Sequence, residues 1–76
     1  MEKVKQTLGQ KRVKAEFNPA KNELVDQIKN KSAELIDLLQ QLRSEDPRTE
    51  KNRLISIAQT DIETGCMFGV KACFTN

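Results

Sequence analysis

The two prolines of this 76-residue chain divide it into segments that contain no helix breaker. Each proline follows a residue that can cap a helix, in the pairs Asn18-Pro19 and Asp46-Pro47. Proline fits the first turn of a helix, and asparagine or aspartate accepts hydrogen bonds from the first N–H groups. We therefore predict that a helix begins at each pair. Both proline-free segments, 20–43 and 48–74, are predicted to be helices, and the fold class to be all-α.

Apolar and small residues recur along both segments at intervals of three and four, which places them on one side of each helix. In the first segment this stripe consists of Val25, Ile28, Ser32, Leu35, Leu39 and Leu42. In the second it consists of Ile55, Ala58, Ile62, Gly65, Gly69 and Ala72, flanked by Leu54, Cys66, Val70 and Cys73. About four residues connect the segments, so we expect an antiparallel two-helix hairpin.

The stripes are wider than a hairpin of two helices can cover, because Leu24, Ile36 and Leu38 extend the first one around its helix. A chain of this length also buries only a modest core. We therefore expect other copies of the chain to complete the core in a helical homo-oligomer.

Gly65 and Gly69 lie inside the second predicted helix, where each glycine costs roughly 1 kcal/mol relative to alanine. One interpretation is that these glycines let helices of different copies cross closely near a symmetry axis. The alternative is that they merely weaken the end of a fraying helix.

The chain has two cysteines and no histidine. Cys66 and Cys73 are seven residues apart, or roughly 10 Å along a helix, which is too far for a disulfide within the chain. We expect them to be small buried residues, with a reactive thiol as the alternative. No metal site and no cofactor are predicted.

Positive charge is concentrated near the N-terminus. Residues 1–21 carry six basic and two acidic side chains, a net charge of +4, whereas the whole chain carries +2. We divide the chain into a basic segment, 1–16, and a hairpin domain, 17–76. The basic segment is either a solvated, mobile arm or a surface that attracts phosphate-bearing ligands or nucleic acid. No segment is apolar enough to suggest a signal peptide or a membrane span, so a soluble cytosolic protein is expected.

Catalysis is not expected, because the chain lacks the usual side chains for acid–base chemistry. Without histidine this role falls to carboxylates, of which Asp61 and Glu63 diverge around a helix and Glu23 and Asp26 are typical of a solvated face. There is no glycine-rich phosphate loop either. The sequence predicts a protein that binds a ligand without changing it.

Candidate ligand-binding residues are the few aromatic side chains and the basic side chains within the helices. Phe17, Phe68 and Phe74, the three aromatic residues, can each stack on a base or belong to a core. Lys29, Arg53 and Lys71 can bind phosphates or be plain surface charges.

Five stretches of the chain resemble a known family. They are Phe17-Asn18-Pro19, Val25 to Lys29, Ala33 to Asp37, Ala58 to Glu63 and Met67 to Ala72. Over residues 17–75 the chain resembles the phage anti-CBASS cyclic-nucleotide sponges, whose hairpin domain is shared with a sponge that acts against Thoeris defence.

This resemblance implies a compact helical homo-hexamer in the host cytoplasm that sequesters cyclic dinucleotides intact and keeps immune effectors inactive. Pockets between subunits are implied, and the candidate ligand residues are Phe17, Asn18, Pro19, Lys29, Arg53, Thr60, Phe68 and Lys71. Phe68 stands where tryptophan is expected and Gly69 where alanine is usual. The sequence therefore leaves two alternatives, a protein with a second pocket for cyclic trinucleotides and one without it. The alternatives are a helical regulator that binds nucleic acid through the basic segment, which we expect less, and a phosphodiesterase, against which the missing histidines argue.

Overall fold

The computed structural model describes residues 5–76, and these residues form three helices and no strand. The helices are α1 (Leu8–Val13), α2 (Glu23–Gln41) and α3 (Glu50–Cys73). The predicted all-α class and the two long helices are confirmed. The short helix α1 was not predicted.

α2 begins four residues later than predicted, because Asn22 rather than Asn18 caps it. The Asn22 side chain accepts hydrogen bonds from the backbone N–H groups of Leu24 and Val25. Asn18 instead closes the preceding turn: its Oδ1 accepts from Asn22 N–H, and its Nδ2 donates to Asn22 O and to Asp26 Oδ1. The prediction that Asn18 and Pro19 open the helix is therefore wrong.

α3 also begins later than predicted, with Thr49 as its cap in place of Asp46. The connection between the long helices is eight residues, 42–49, instead of about four. Buried Asn52 explains the longer loop, because its Nδ2 donates to the carbonyls of Ser44 and Asp46 at 3.1 and 3.0 Å. Its Oδ1 accepts from Ser44 N–H at 2.9 Å. The first turn of α3 thus holds the loop as well as the helix.

α2 and α3 form the predicted antiparallel hairpin. Near its closed end Arg43 donates to Ser56 Oγ, and near its open end Ile28 lies beside Gly69. Between these contacts the buried Gln59 side chain crosses the interface, donating to Ile36 O at 3.1 Å and accepting from Arg43 at 2.8 Å. Because glutamine is polar, the spacing of apolar residues does not reveal that it is buried at this interface, and Gln59 was not predicted there.

Replacing Gln59 with leucine is expected to lower the free energy of unfolding by about 1–3 kcal/mol, because the Ile36 carbonyl and the Arg43 guanidinium lose a buried partner. Thermal unfolding followed by circular dichroism measures the change. Gln27 is exposed on α2, so Gln27→Leu is the matched control and should unfold like the wild type. Equal stability of the two variants would contradict a structural role for Gln59.

α1 gives structure to the part of the chain interpreted as a basic arm. Thr7 and Gln10 form a capping box, and the Gly9 N–H donates to Asp37 Oδ1 at 2.7 Å. Val13 joins the small core of Val13, Ala33, Ile36 and Cys66. A mobile arm is therefore the wrong interpretation of Leu8–Val13, whereas Glu2 and Lys3 lie outside the described residues.

The glycine with the tightest surroundings is Gly9, not Gly65 or Gly69. A Cβ atom at Gly9 would lie 2.1 Å from the Ala33 carbonyl oxygen, so α1 can approach α2 only without a side chain there. A Cβ atom added at Gly65 would have no neighbour within 4 Å, and one added at Gly69 would lie 3.5 Å from an Ile28 methyl group, its nearest neighbour. A close crossing at Gly65 and Gly69 between copies stays a prediction.

Burial of the apolar stripes differs from the prediction. On α2 the chain buries Val25, Lys29, Ala33 and Ile36, while Leu35 and Leu42 remain 46% and 52% exposed. On α3 Ile55 and Cys66 are buried, Cys73 is half-buried, and both cysteines are free. Within the described residues, no helix is long and apolar enough to cross a membrane.

Candidate functional site

The loop from α1 to α2 and the C-terminal end of α3 enclose a cavity of about 130 Å³. We call it the loop cavity. Its walls are Phe17, Asn18, Pro19, Val25, Lys29, Val70 and Phe74. Four of the eight predicted ligand residues therefore meet at one place, although they are separated by up to twelve positions in the chain.

Lys29 lines this cavity, and it is only 6% exposed. Its ammonium group donates to Lys14 O at 2.9 Å and to Phe17 O, and it lies 5.5 Å from the centre of the Phe17 ring. Among the described residues, no carboxylate forms an ion pair with it. A lysine ammonium has three N–H donors, and these two carbonyls accept two of them. Lys29 is thus a positioned positive charge without an anionic partner.

The backbone on both sides of Phe17 is held in an unusual conformation. Lys14 ends α1 with φ 54°, and Lys21 precedes the α2 cap with φ 53°. The left-handed region costs a residue other than glycine roughly 1–2 kcal/mol, and tertiary contacts must hold it there. The bond from Lys29 to the Lys14 carbonyl supplies such a contact.

Two aromatic side chains border the loop cavity and remain open to solvent. Phe17 is 65% exposed, and Phe74, just after the end of α3, is 59% exposed. Partly exposed rings at a cavity can stack on the bases of a ligand. Phe74 was considered as a stacking or core residue but is not among the eight predicted ligand residues. Its place at the cavity depends on where α3 ends relative to the loop.

A second cavity, of about 330 Å³, adjoins the first and shares Lys29 and Val70 with it. We call it the α1–α3 cavity. Its remaining walls are Arg12, Val13, Lys14, Glu63, Cys66 and Met67. Arg12 pairs with Glu63 at 2.6 Å and lies 3.5 Å from Thr60 Oγ1. Sequence reasoning missed Arg12 because it lies in the segment interpreted as an arm.

The other four predicted residues line neither of these cavities. Thr60 borders a shallow surface hollow with Ser56, Ile57 and Asp61, and touches the site only through Arg12. Phe68 and Lys71 are exposed on α3. Their predicted ligand roles stay predictions.

Arg53 is exposed in the first turn of α3, where Glu50 occupies its guanidinium. Two hydrogen bonds of 2.6 Å join the two side chains. The hydrogen bond from Arg53 lowers the pKa of Glu50, and the same bond raises the pKa of Arg53. A phosphate would have to compete with Glu50 for this group.

Within the described part of the chain, no three cysteine, aspartate or glutamate side chains cluster closely enough to hold a metal ion. The two cavities are lined by the cations Lys29 and Arg12, the carboxylate of Glu63 and the exposed rings of Phe17 and Phe74. Cations and aromatic rings are groups that proteins use to bind phosphates and flat bases.

The fold and the site define a small helical-hairpin protein whose cavities suit ligand binding. The family model described as "Acb2/Tad1, hairpin domain" matches residues 9–74, and the chain belongs to this family of sponge-type anti-defence proteins. The resemblance found in the sequence is thereby confirmed. The family domain is non-catalytic. No curated protein and no solved structure matches the chain.

Proposed function

We propose that this protein sequesters cyclic dinucleotide immune messengers, such as cyclic GMP-AMP, in the host cytoplasm and releases them unchanged. Removing the messenger would leave CBASS effectors of the host inactive. The observation that carries the proposal is the loop cavity, where Phe17, Phe74 and the unpaired cation of Lys29 border one space.

The ligand's chemistry matches these groups. A purine base stacks on Phe17 or Phe74, and a phosphate accepts the remaining N–H of Lys29 in a charge-assisted hydrogen bond. Because Lys29 is already held by two carbonyls, little side-chain entropy is lost on binding.

The loop cavity alone is too small for the whole ligand. Its volume of about 130 Å³ is below the roughly 300 Å³ at which ligand pockets begin. The adjoining α1–α3 cavity, with Arg12, extends the surface on the other side of Lys29. We propose that the ligand spans both cavities and that neighbouring copies in a homo-hexamer close over it.

A depletion experiment tests the function. The purified protein is mixed with cyclic di- and trinucleotides, free ligand is measured after filtration, and the retained protein is digested to release bound ligand. We expect depletion of cyclic dinucleotides and recovery of intact ligand. Recovery of linear products only would instead identify a phosphodiesterase, and no depletion would exclude a sponge and favour the nucleic-acid alternative.

Variants of Phe74 test whether the loop cavity is the binding site. Phe74→Leu keeps an apolar side chain but removes the ring, so the Kd for a cyclic dinucleotide should rise about tenfold, as expected for a lost stacking contact of 1–3 kcal/mol. Phe74→Tyr keeps the ring and is the matched control, with a Kd close to that of the wild type. Calorimetric titration measures both; an unchanged Kd in Phe74→Leu would place the site elsewhere.

A further inference from the structure

The α1–α3 cavity contains a cation and a carboxylate that pair with each other. Arg12 Nε donates to Glu63 Oε1 at 2.6 Å, so the two side chains together carry no net charge. Lys29, which lines both cavities, forms no ion pair with a carboxylate among residues 5–76. A phosphate is therefore attracted to Lys29, whereas the Arg12–Glu63 pair favours a neutral polar group.

This pair has hydrogen-bonding groups that the single chain does not use. Within the described residues, Arg12 Nη1 has no acceptor and Glu63 Oε2 has no donor, while Arg12 Nη2 has only the long contact of 3.5 Å with Thr60 Oγ1. The side chains of Arg12 and Glu63 are 25% and 33% exposed and both line the cavity, so a ligand can reach them. The pair thus presents charged donors and a charged acceptor next to each other.

The other walls of the α1–α3 cavity suit the flat faces of a base. Val13, Val70, Cys66 and Met67 line it, and methionine sulfur makes favourable contacts with aromatic rings. The volume of about 330 Å³ is at the lower end of the range for ligand pockets, so the cavity suits one base rather than a whole dinucleotide.

We propose that Glu63 and Arg12 bind a guanine base of the cyclic dinucleotide and make the protein prefer guanine to adenine. Guanine has two adjacent donors, N1–H and N2–H, which a carboxylate accepts, and beside them the acceptor O6, to which arginine donates. Adenine has a single donor group, the N6 amino group, beside the acceptors N1 and N7, so Glu63 loses a hydrogen bond. The inference rests on the proposed function and specifies which base the same site prefers.

The position of Lys29 agrees with this arrangement. Because Lys29 lines both cavities, a phosphate bound to it lies between the loop cavity and the α1–α3 cavity. Each phosphate of a cyclic dinucleotide joins the two nucleosides, so one base can stack at Phe17 or Phe74 while the other reaches Arg12 and Glu63.

Calorimetric titration with cyclic di-GMP and cyclic di-AMP tests the preference. We expect the Kd for cyclic di-GMP to be about tenfold lower, within the range found for a base edge that is recognised by two hydrogen bonds. Equal Kd values for the two ligands would overturn the inference.

Glu63→Gln tests whether this carboxylate causes the preference. The amide oxygen of glutamine can still accept from Arg12, so α1 keeps its place, but the amide NH2 group cannot accept from guanine. The ratio of the two Kd values should therefore fall from about tenfold to about twofold, with unchanged helicity by circular dichroism. Glu34→Gln makes the same chemical change at an exposed position of α2 and should keep the ratio of the wild type. An undiminished ratio in Glu63→Gln would contradict the role of Glu63.

A change in the ligand gives a second measurement, which leaves the protein unaltered. Cyclic di-IMP lacks the N2 amino group of cyclic di-GMP but keeps N1–H and O6. The wild type should bind cyclic di-IMP about fivefold more weakly than cyclic di-GMP, because one hydrogen bond to the Glu63 carboxylate is lost. Equal affinity of the wild type for these two ligands would refute the proposed contact with N2–H.

The outcomes separate this inference from the proposed function. If the wild type depletes cyclic di-GMP and cyclic di-AMP intact and with equal affinity, the sponge function stands and the base preference is wrong. If it depletes neither ligand, the proposed function is wrong and the inference is wrong with it.

Discussion

Gly9→Ala is expected to destabilise the protein and to abolish tight ligand binding, although alanine normally favours a helix. The new Cβ would lie 2.1 Å from the Ala33 carbonyl oxygen, and this neighbour is backbone that cannot rotate away. α1 must therefore shift off α2, at a cost of about 1–3 kcal/mol. The shift also moves Arg12 and the Lys14 carbonyl, which border Lys29, so the Kd should rise about 30- to 100-fold.

Gly65→Ala is the matched control for this variant, because the same substitution meets open space there. It removes the entropic cost of a glycine inside α3 and should raise the stability of the chain by up to about 1 kcal/mol. Thermal unfolding should therefore show lower stability for Gly9→Ala and higher stability for Gly65→Ala. Calorimetric titration should show weaker ligand binding for Gly9→Ala. Similar stabilities for Gly9→Ala and the wild type would show that α1 does not pack as described.

The second large effect is expected for Lys29→Met, which keeps the length of the side chain and removes its ammonium group. The carbonyls of Lys14 and Phe17 lose a charged donor, so unfolding should become easier by about 1–3 kcal/mol. Ligand binding should weaken about 100-fold, or about 2.8 kcal/mol, because the phosphate loses its cation and Phe17 loses its support.

Lys31→Met controls for the loss of one positive charge, because Lys31 is exposed on the same helix. It should bind and unfold like the wild type. The mass of the Lys29→Met assembly should also be unchanged, since Lys29 is already buried within the single chain. If Lys29→Met bound the ligand with the affinity of the wild type, Lys29 would not be part of the binding site.

The helical content could be predicted from the sequence because it depends on local signals. Proline positions and intervals of three and four residues identify α2 and α3 without knowledge of the rest of the chain. The helix starts were less predictable: Asn18 and Asn22 have the same capping group, and a turn held by Asn18 decides between them. α1 has only six residues and depends on contacts with Ala33 and Asp37.

The candidate site was partly predictable for the same reason. The aromatic and basic character of Phe17 and Lys29 is visible in the sequence, and the resemblance to the family marked both. The positions of Arg12 and Phe74 at the two cavities could not be predicted, because each depends on how distant segments of the chain pack together. Gly9 and Gly65 show most clearly what the sequence cannot predict. Both are glycines inside helices, but a Cβ atom would clash with α2 at Gly9 and would meet no neighbour at Gly65.

The sequence by itself determined an all-α chain with two long amphipathic helices, the hairpin they form and the family to which the chain belongs. Only the tertiary structure decided that Lys29 is a buried cation, that Gln59 bridges the hairpin and that α1 lines a cavity beside α3. The physical reason is that helix formation follows short-range spacing, whereas burial and charge pairing depend on residues far apart in the chain.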